Sequence, residues 1–491
     1  MRKWRWLTFL TAFMLSASVA HADGIDIKVK GQWDFAFGWV VNGGFRTNRD
    51  VNPKDDYFGA SQRIRTQINF ISSEYLQGVL MFEIGDIDWG RTYGGSARAG
   101  QGNGGGLDAD GVNVETKRAY LDWIIPHTDV SIRMGIQGLG LPMGNGWDNP
   151  VFSADVAGIV ANYPISEMFG ITAFWARPFD AFANDESNEI FSGKNFSDEM
   201  DMFGLVLPIT GDGWSVTPWG VYSLIGNASG YFDYIAGIDG HTLGTGDRNS
   251  RTHAWWAGVS TEIEIFDPLT FSVDAMYGRM HKTNIGIWHE DDLEYDGSMR
   301  FGTSGWFVVA ALNYKLDWGT PGIYGWYASG DSESAARDGK YGRMPVVGVD
   351  DGFAATTFGF PGSAGIGADT AVSTTGVGTW GIAVQLAEVS FVEDLSHTLR
   401  FAYYRGTNDD EIIKKYGGYD DYVLKSGAEE IYMTKKDYAF EVNFDHSYQI
   451  YENLTAILEL GYIHLKLDSG TWQDHDTDDA WKAQLLFQYA F

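Results

Sequence analysis

Every second residue at the end of the chain is apolar: Trp481, Ala483, Leu485, Phe487, Tyr489 and Phe491. Lys482, Gln484 and Gln488 stand between them. This alternation marks a β-strand with one oily face and one mostly polar face. Chain termini ordinarily fray, so a rigid aromatic strand at the end calls for a partner. A closed barrel supplies one, because its last strand pairs with its first. The first amphipathic stretch has the same design. From Ile25 to Val41, Trp33, Phe35, Phe37 and Trp39 alternate with Lys28, Lys30, Gln32 and Asp34. It is longer than the about five or six residues of a common strand and suits a tilted strand crossing a bilayer. Trp39, near one end, fits an interfacial girdle.

The pattern recurs along the chain, and its connections alternate in length. Short turns are predicted at 72–75, 126–129, 164–168, 208–213, 266–269, 317–320, 392–396 and 448–453. Long segments lie between them, at 42–60, 89–113, 138–156, 178–199, 225–251, 280–302, 330–376, 407–436 and 466–480. Eight short and nine long connections give 18 strands. The expected fold is therefore an all-β, transmembrane antiparallel β-barrel, with short periplasmic turns and long extracellular loops. The even count places both termini on the periplasmic side. The weakest pair is 200–208 and 214–224, because Pro218 cannot donate to a ladder and a closed barrel has no edge to shelter it. Merging the two would leave 16 strands.

Residues 1–22 read as a secretory signal peptide, with 23–491 as a single barrel domain. Arg2, Lys3 and Arg5 open the leader, Leu7 to Val19 is apolar, and Ala20-His21-Ala22 is a small-x-small cleavage site. No later stretch is apolar for long enough to form a spanning helix. The chain has no cysteine, which excludes thiol chemistry, disulfides and thiolate metal sites. Its formal charge of −30 argues against nucleic acid as a partner. No H-E-x-x-H or G-x-S-x-G pattern occurs, so no enzymatic activity is expected. A barrel hydrolase would need residues scattered through the sequence. No cofactor is expected either. Acidic loop residues at Asp108 and Asp110, and the pairs Asp291-Asp292, Asp350-Asp351, Asp409-Asp410 and Asp420-Asp421, offer oxygen ligands for Ca²⁺, but none has EF-hand spacing. Solvated loop acids are the simpler reading of them.

Four short stretches carry a family resemblance: Gly31-Gln32-Trp33-Asp34-Phe35, Ile132-Arg133-Met134-Gly135-Ile136-Gln137, Ile450-Tyr451-Glu452-Asn453-Leu454 and Phe487-Gln488-Tyr489-Ala490-Phe491. With the strand rhythm, they make the chain resemble the bacterial outer-membrane homotrimeric porins, most closely the Desulfovibrio-type family. The resemblance implies a location in the outer membrane of a Gram-negative bacterium. It implies a homotrimer among outer-membrane lipid and lipopolysaccharide, and an assembly signal at Phe487, Tyr489 and Phe491 read by the barrel-assembly machinery. It also implies that the third long loop, 138–156, folds inward and narrows the pore.

The inward positions supply a candidate constriction. Arg63, Arg65, Arg118 and Arg133 face the lumen by alternation, and Asp148 and Asp155 are expected on the inserted loop. A positive wall opposed to a negative loop would set a field across the hole. The competing reading pairs these arginines with Glu83, Glu115 and Asp122 on neighbouring strands. Glu83, Asp122, Arg400 and Lys482 are further lumen-wall candidates. The function expected is passive diffusion of small hydrophilic solutes and ions, weakly favouring small anions. The alternative is a channel selective for a sugar or carboxylate, with Trp255, Trp256, Trp306 and Trp380 as a binding track. The long segment 330–376, rich in small residues but carrying Phe353, Phe358 and Phe360, has three readings: a cap over the mouth, a flap over a neighbour or a mobile loop.

Overall fold

The computed structural model describes residues 20–22, 24–45, 56–90, 114–180, 198–226, 229–236, 241–244, 251–289, 295–349, 352–364, 366, 372–416, 431–472 and 477–491. The chain forms a closed barrel of 18 antiparallel strands. They are β1 (Ile25–Val41), β2 (Tyr57–Ser73), β3 (Leu76–Asp88), β4 (Val114–Ile124), β5 (Ser131–Gly140), β6 (Phe152–Pro164), β7 (Gly170–Asp180), β8 (Glu199–Val206) and β9 (Trp214–Gly226). The second half comprises β10 (Arg251–Phe266), β11 (Leu269–His289), β12 (Tyr295–Tyr314), β13 (Thr320–Ala328), β14 (Thr379–Val392), β15 (Leu395–Gly406), β16 (Tyr438–Tyr451), β17 (Leu454–Lys466) and β18 (Ala480–Ala490). Each strand pairs with its neighbours in sequence, and β18 closes on β1 from Gln32↔Ala490 to Val41↔Trp481. Of the proposed leader, only Ala20–Ala22 is described, paired with Ile25–Ile27. Residues 1–19 lie outside the described residues.

Both strands of the doubtful pair are present, so the count of 18 stands and the merged alternative does not. The prolines explain why. The β8–β9 ladder ends at Trp219↔Val206. One residue further, the Leu207 amide donates to the Pro218 carbonyl at 2.9 Å. Pro208 follows at once, and Ile209–Gly211 resumes pairing with Trp214–Val216. The donor that Pro218 lacks falls at a gap already opened by Pro208, so the sheet loses little.

Alternation sorts the two faces. Outward residues are large and exposed, such as Trp33, Trp39, Phe58 and Trp481. Inward residues include Asp34, Gln484 and Lys482, all buried. Phe266, Phe391 and Tyr451 mark the short-turn end, and Trp39, Trp255 and Trp306 the long-loop end, giving two aromatic girdles.

The interior is where the chain departs most from a simple pipe. A large apolar cluster occupies the interior, built mainly from inward residues of β6 to β17 and from residues between strands that include Tyr231, Phe232, Tyr432, Met433 and Trp472. Two inserted segments join it. One is 141–151. The other lies within 330–376: in its described part Phe353, Phe358 and Phe360 are fully buried inside the barrel, where a cap over the mouth, a flap over a neighbour or a mobile loop would leave them outside. Each fully buried aromatic contributes about 1.5–3 kcal/mol of transfer free energy, enough to hold a segment against a wall.

Candidate pore constriction

The first inserted segment begins where β5 ends. Strand pairing continues to Gly140↔Ser153, so the loop expected over 138–156 is in fact 141–151, and Asp155 belongs to β6 opposite Gly138. Asp148 is on the loop, where its carboxylate accepts a hydrogen bond from the Ser153 hydroxyl at 2.7 Å. The loop tip crosses to the far wall. The Gly144 amide donates to Asp274 of β11 at 3.0 Å, and the Asn145 amide donates to Glu262 of β10 at 3.1 Å. The Asn313 side-chain amide of β12 donates to the Asn145 side-chain oxygen at 2.9 Å. The tip packs closely there: a Cβ at residue 144 would lie 3.1 Å from the Ser272 Cβ and 3.2 Å from the Asp274 carboxylate, so a larger residue would press on both. Trp147 completes the crossing against Tyr324 of β13, with ring centroids 5.2 Å apart.

The second segment packs from the other side. The Val347 amide donates to the Val151 carbonyl at 2.8 Å, and Gly348–Val349 pairs in parallel with Phe152–Ser153. Beyond it, the Gly359 amide donates to Glu441 of β16 at 3.1 Å. The Ala364 amide donates to Glu459 of β17 at 2.9 Å. Lys482 of β18 donates to the Thr357 carbonyl at 2.6 Å and to the Ser363 hydroxyl at 3.0 Å, and pairs with Glu459 at 2.9 Å. Lys482 thus points inward as expected, but it is an anchor sealed under this segment rather than open wall. Arg400 also points inward, 3.7 Å from Asp445, and is largely covered.

Strands β1 to β6 carry the remaining candidates and keep them partly open to solvent. Arg65 donates to Glu83 at 2.5 Å. Arg118 donates to Asp155 at 2.7 Å, and Lys117 pairs with the other oxygen at 3.0 Å. Arg133 grips Asp122 through two nitrogens, at 2.7 and 2.9 Å, and lies 4.3 Å from the centre of the Tyr120 ring. Arg63 lies between Asp34 and Asp86, at 3.6 Å from each. The arginines therefore meet carboxylates on their own wall rather than on the loop: Glu83 and Asp122 are partners as the competing reading has it, Asp155, Asp34 and Asp86 are added, and among the described residues Glu115 pairs with none of them. Asp155, expected on the inserted loop, stands instead on the strand wall because the β5–β6 ladder runs on to Gly140↔Ser153. Bidentate geometry suits arginine because its fork is rigid and always charged.

The pairs form a ladder climbing the wall, and Arg65, Lys117, Arg118 and Arg133 keep 20–36% of their side chains exposed. Trp256, Phe307, Trp326 and Tyr404 on the opposite sector are sealed. Among these inward candidates, the charged side chains that keep contact with solvent are thus those of β2, β4 and β5. Lys28 and Lys30, on the inward face of β1, stand on this same wall.

The four tryptophans considered as a binding track do not come together. Trp255 and Trp306 are exposed on the outer face, and Trp380 stacks edge-on against Tyr403 outside the barrel, at 5.6 Å. Trp256 alone points inward, and it is sealed, donating to the Pro345 carbonyl at 2.8 Å. Of the acidic loop pairs, only Asp409-Asp410 is described. Partial burial pushes Asp410 up, but the ammonium groups of Lys414 and Lys436 outweigh it and bring its pKa down to about 2. Both lysines bind it directly, at 2.5 and 2.7 Å. Among the described residues no group of three or more histidines and carboxylates gathers as a metal would require. Asp108, Asp110, Asp291, Asp292, Asp350, Asp351, Asp420 and Asp421 lie outside the described residues, or their side chains do.

The assembly-signal residues sit on the closing seam. The amide and carbonyl of Phe491 exchange hydrogen bonds with those of Gly31, at 3.0 and 2.8 Å. Tyr489 is exposed on the outer face and its ring stacks on Phe491 at 6.1 Å. Phe487 pairs with Phe35 across the seam.

No family model matches the chain, and no curated protein does. Solved structures do. A doubly substituted OccD1 (OprD) aligns with a TM-score of 0.50 and 12% identity, over 94% of this chain and 95% of that one. The outer membrane protein OpdK of Pseudomonas aeruginosa aligns with a TM-score of 0.47 and 10% identity, over 95% and 98%. OccAB3 of Acinetobacter baumannii aligns with a TM-score of 0.47 and 10% identity, over 94% and 99%. At such identities the likeness is one of fold, and the OccD1 alignment, spanning nearly all of both chains, places this chain among structures of that barrel architecture.

Proposed function

We propose that the protein is an outer-membrane channel for passive passage of small hydrophilic solutes and ions. The observation that carries this reading is the partly exposed ladder of ion pairs on β1 to β6, facing a lumen otherwise sealed by inserted segments. A barrel with an oily outer belt and a wet charged lane inside has the makings of a pore. The ladder itself is nearly balanced, because Arg63, Arg65, Lys117, Arg118 and Arg133 meet Asp34, Glu83, Asp86, Asp122 and Asp155. The weak preference for small anions then comes from Lys28 and Lys30 beside it. The loop acids carry much of the chain's negative charge, and salt screens them beyond about 10 Å. Conductance of the purified protein in planar bilayers tests the reading, and absence of any conductance from folded protein would sink it.

A substrate-selective channel for a carboxylate is the second reading, and the Arg133–Asp122 and Arg118–Asp155 pairs favour it over a sugar track. Saturable transport inhibited by one solute class would distinguish it from free diffusion.

The finer parts of the sequence resemblance are proposals too. The narrower likeness to the Desulfovibrio-type porins and the homotrimer rest on the four short motifs. Mass measurement in detergent and conductance in steps of three would support the trimer, and single steps with a monomer mass would reject it. Export through a cleaved leader ending at Ala22 is checked by the amino terminus of the purified protein. Recognition of Phe487, Tyr489 and Phe491 by the assembly machinery is tested by deleting Phe491 and measuring the yield of assembled barrel in cells.

A further inference from the structure

On the outer face at the long-loop end, strands β10 to β12 carry a band of basic side chains: Arg251, His253, Arg279, His281 and Arg300, all exposed. Its place relative to the aromatic girdle is regular. His253 follows Trp255 on the outward face of β10, and Arg279 follows Tyr277 on that of β11. Trp255 and Arg279 are direct cross-strand partners. Trp255 and Tyr277 are themselves in contact, with centroids 5.2 Å apart. Arg279 is therefore level with Trp255, while a two-residue step of about 6–7 Å takes His253 beyond Trp255 and His281 beyond Arg279, so the band runs from the rim of the girdle to headgroup depth.

Three further observations define the band. Among the described residues neither Arg279 nor Arg300 has a carboxylate within ion-pair distance. The Tyr222 hydroxyl is 2.5 Å from His253 Nδ1, and His253 and His281 meet edge to face at 6.4 Å, so the imidazoles have a fixed arrangement. His464, outward on β17 at the long-loop end, instead holds Asp479 at 2.7 Å. In a chain of net charge −30, an outward cluster of one sign invites a negative partner.

We propose that this band binds the phosphate groups of the acylated, phosphate-bearing lipid of the outer leaflet, with the acyl chains lying along Trp255, Tyr277 and Trp306. Arginine forks grip phosphate oxygens in pairs, and the aromatic rings below present apolar area to the chains. This rests on the outer-membrane reading but not on conductance. It gives the barrel a fixed lipid at one sector of its circumference.

The test uses the purified full-length barrel in mixed micelles, titrated with diphosphorylated lipid A, its fully dephosphorylated form, and inorganic pyrophosphate. The wild type is expected to bind the diphosphorylated lipid at about one per barrel, far more tightly than either control. The R251Q/R279Q/R300Q variant is expected to bind about a hundredfold more weakly, and each single variant about fivefold, the scale for surface cations at a membrane. Bilayer conductance of the same variants, expected unchanged, shows that they are folded; if the triple variant does not fold, the single variants decide. Equal affinity for the dephosphorylated lipid, equal affinity for pyrophosphate, or no loss in the variants would overturn the proposal. Lipid binding by a wild type that never conducts would reject the channel reading and leave this one standing.

Discussion

The Trp147 and Phe353 rings meet inside the barrel, 5.4 Å apart and inclined at 60°. They come from two different inserted segments, and Phe353 also packs edge-on against Phe307 of β12 at 5.1 Å and Trp326 of β13 at 5.5 Å. The contact ties the crossing loop to the longer segment, so the width of the lane depends on both. Phe353→Ala should remove about 3–5 kcal/mol of packing at this junction. The expected result is a larger and noisier single-channel conductance with the barrel still resistant to detergent. Unchanged conductance would mean that the two segments are held independently.

The loop tip offers a second handle on the same geometry. Asp274 and Glu262 accept from the Gly144 and Asn145 amides. An E262A/D274A variant leaves both donors without their acceptors, at about 1–3 kcal/mol for each buried group. Protease should then cut within 141–151 faster than in the wild type. Equal rates would show that Trp147 alone holds the tip.

Lys482 and Glu459 are both almost fully buried, 2.9 Å apart. Removing one charge strands the other, which costs about 3–5 kcal/mol. Lys482→Met should therefore lower the unfolding temperature in detergent, and K482M/E459L should recover most of the loss. If the double variant is no better than the single one, the ammonium matters for its bonds to Thr357 and Ser363 rather than for the pair.

Gly31 lies under the Phe491 ring. A Cβ there would come within 2.5 Å of the ring and 2.4 Å of the Arg65 carbonyl. Gly31→Val should disturb the seam and reduce the yield of folded barrel. Deleting Phe491 should lower assembly in cells more than conductance per assembled channel. An equal fall in both would argue that Phe491 serves the finished pore rather than its assembly.

The barrel was readable because each wall strand carries its own record. Trp33 and Asp34 point opposite ways by period alone, and turn positions follow from where the period breaks. The interior was not, because inserted segments have no period. Nothing local to Phe353, Phe358 and Phe360 distinguishes a segment folded into a lumen from one lying on a surface; their burial depends on Trp326, Tyr404 and Gly461, far away in sequence. The period of each strand turns Arg63, Arg65, Arg118 and Arg133 to one face. Their partners are set by cross-strand register, which put Arg118 beside Asp155. The resemblance implies a loop over 138–156, whereas Gly138 stays in the ladder and leaves room for the Arg118 guanidinium, 2.8 Å from where a Cβ would be.

Reversal potential across a salt gradient, measured for the wild type, Arg65→Glu and Lys30→Glu, tests the charged wall most directly. A wet lane along β1 to β6 predicts a small anion preference in the wild type and a shift towards cations in both variants. The shift should be at least as large at Lys30, which among the described residues has no carboxylate to release. A reversal potential unmoved by either substitution would place the conducting path elsewhere and contradict the account.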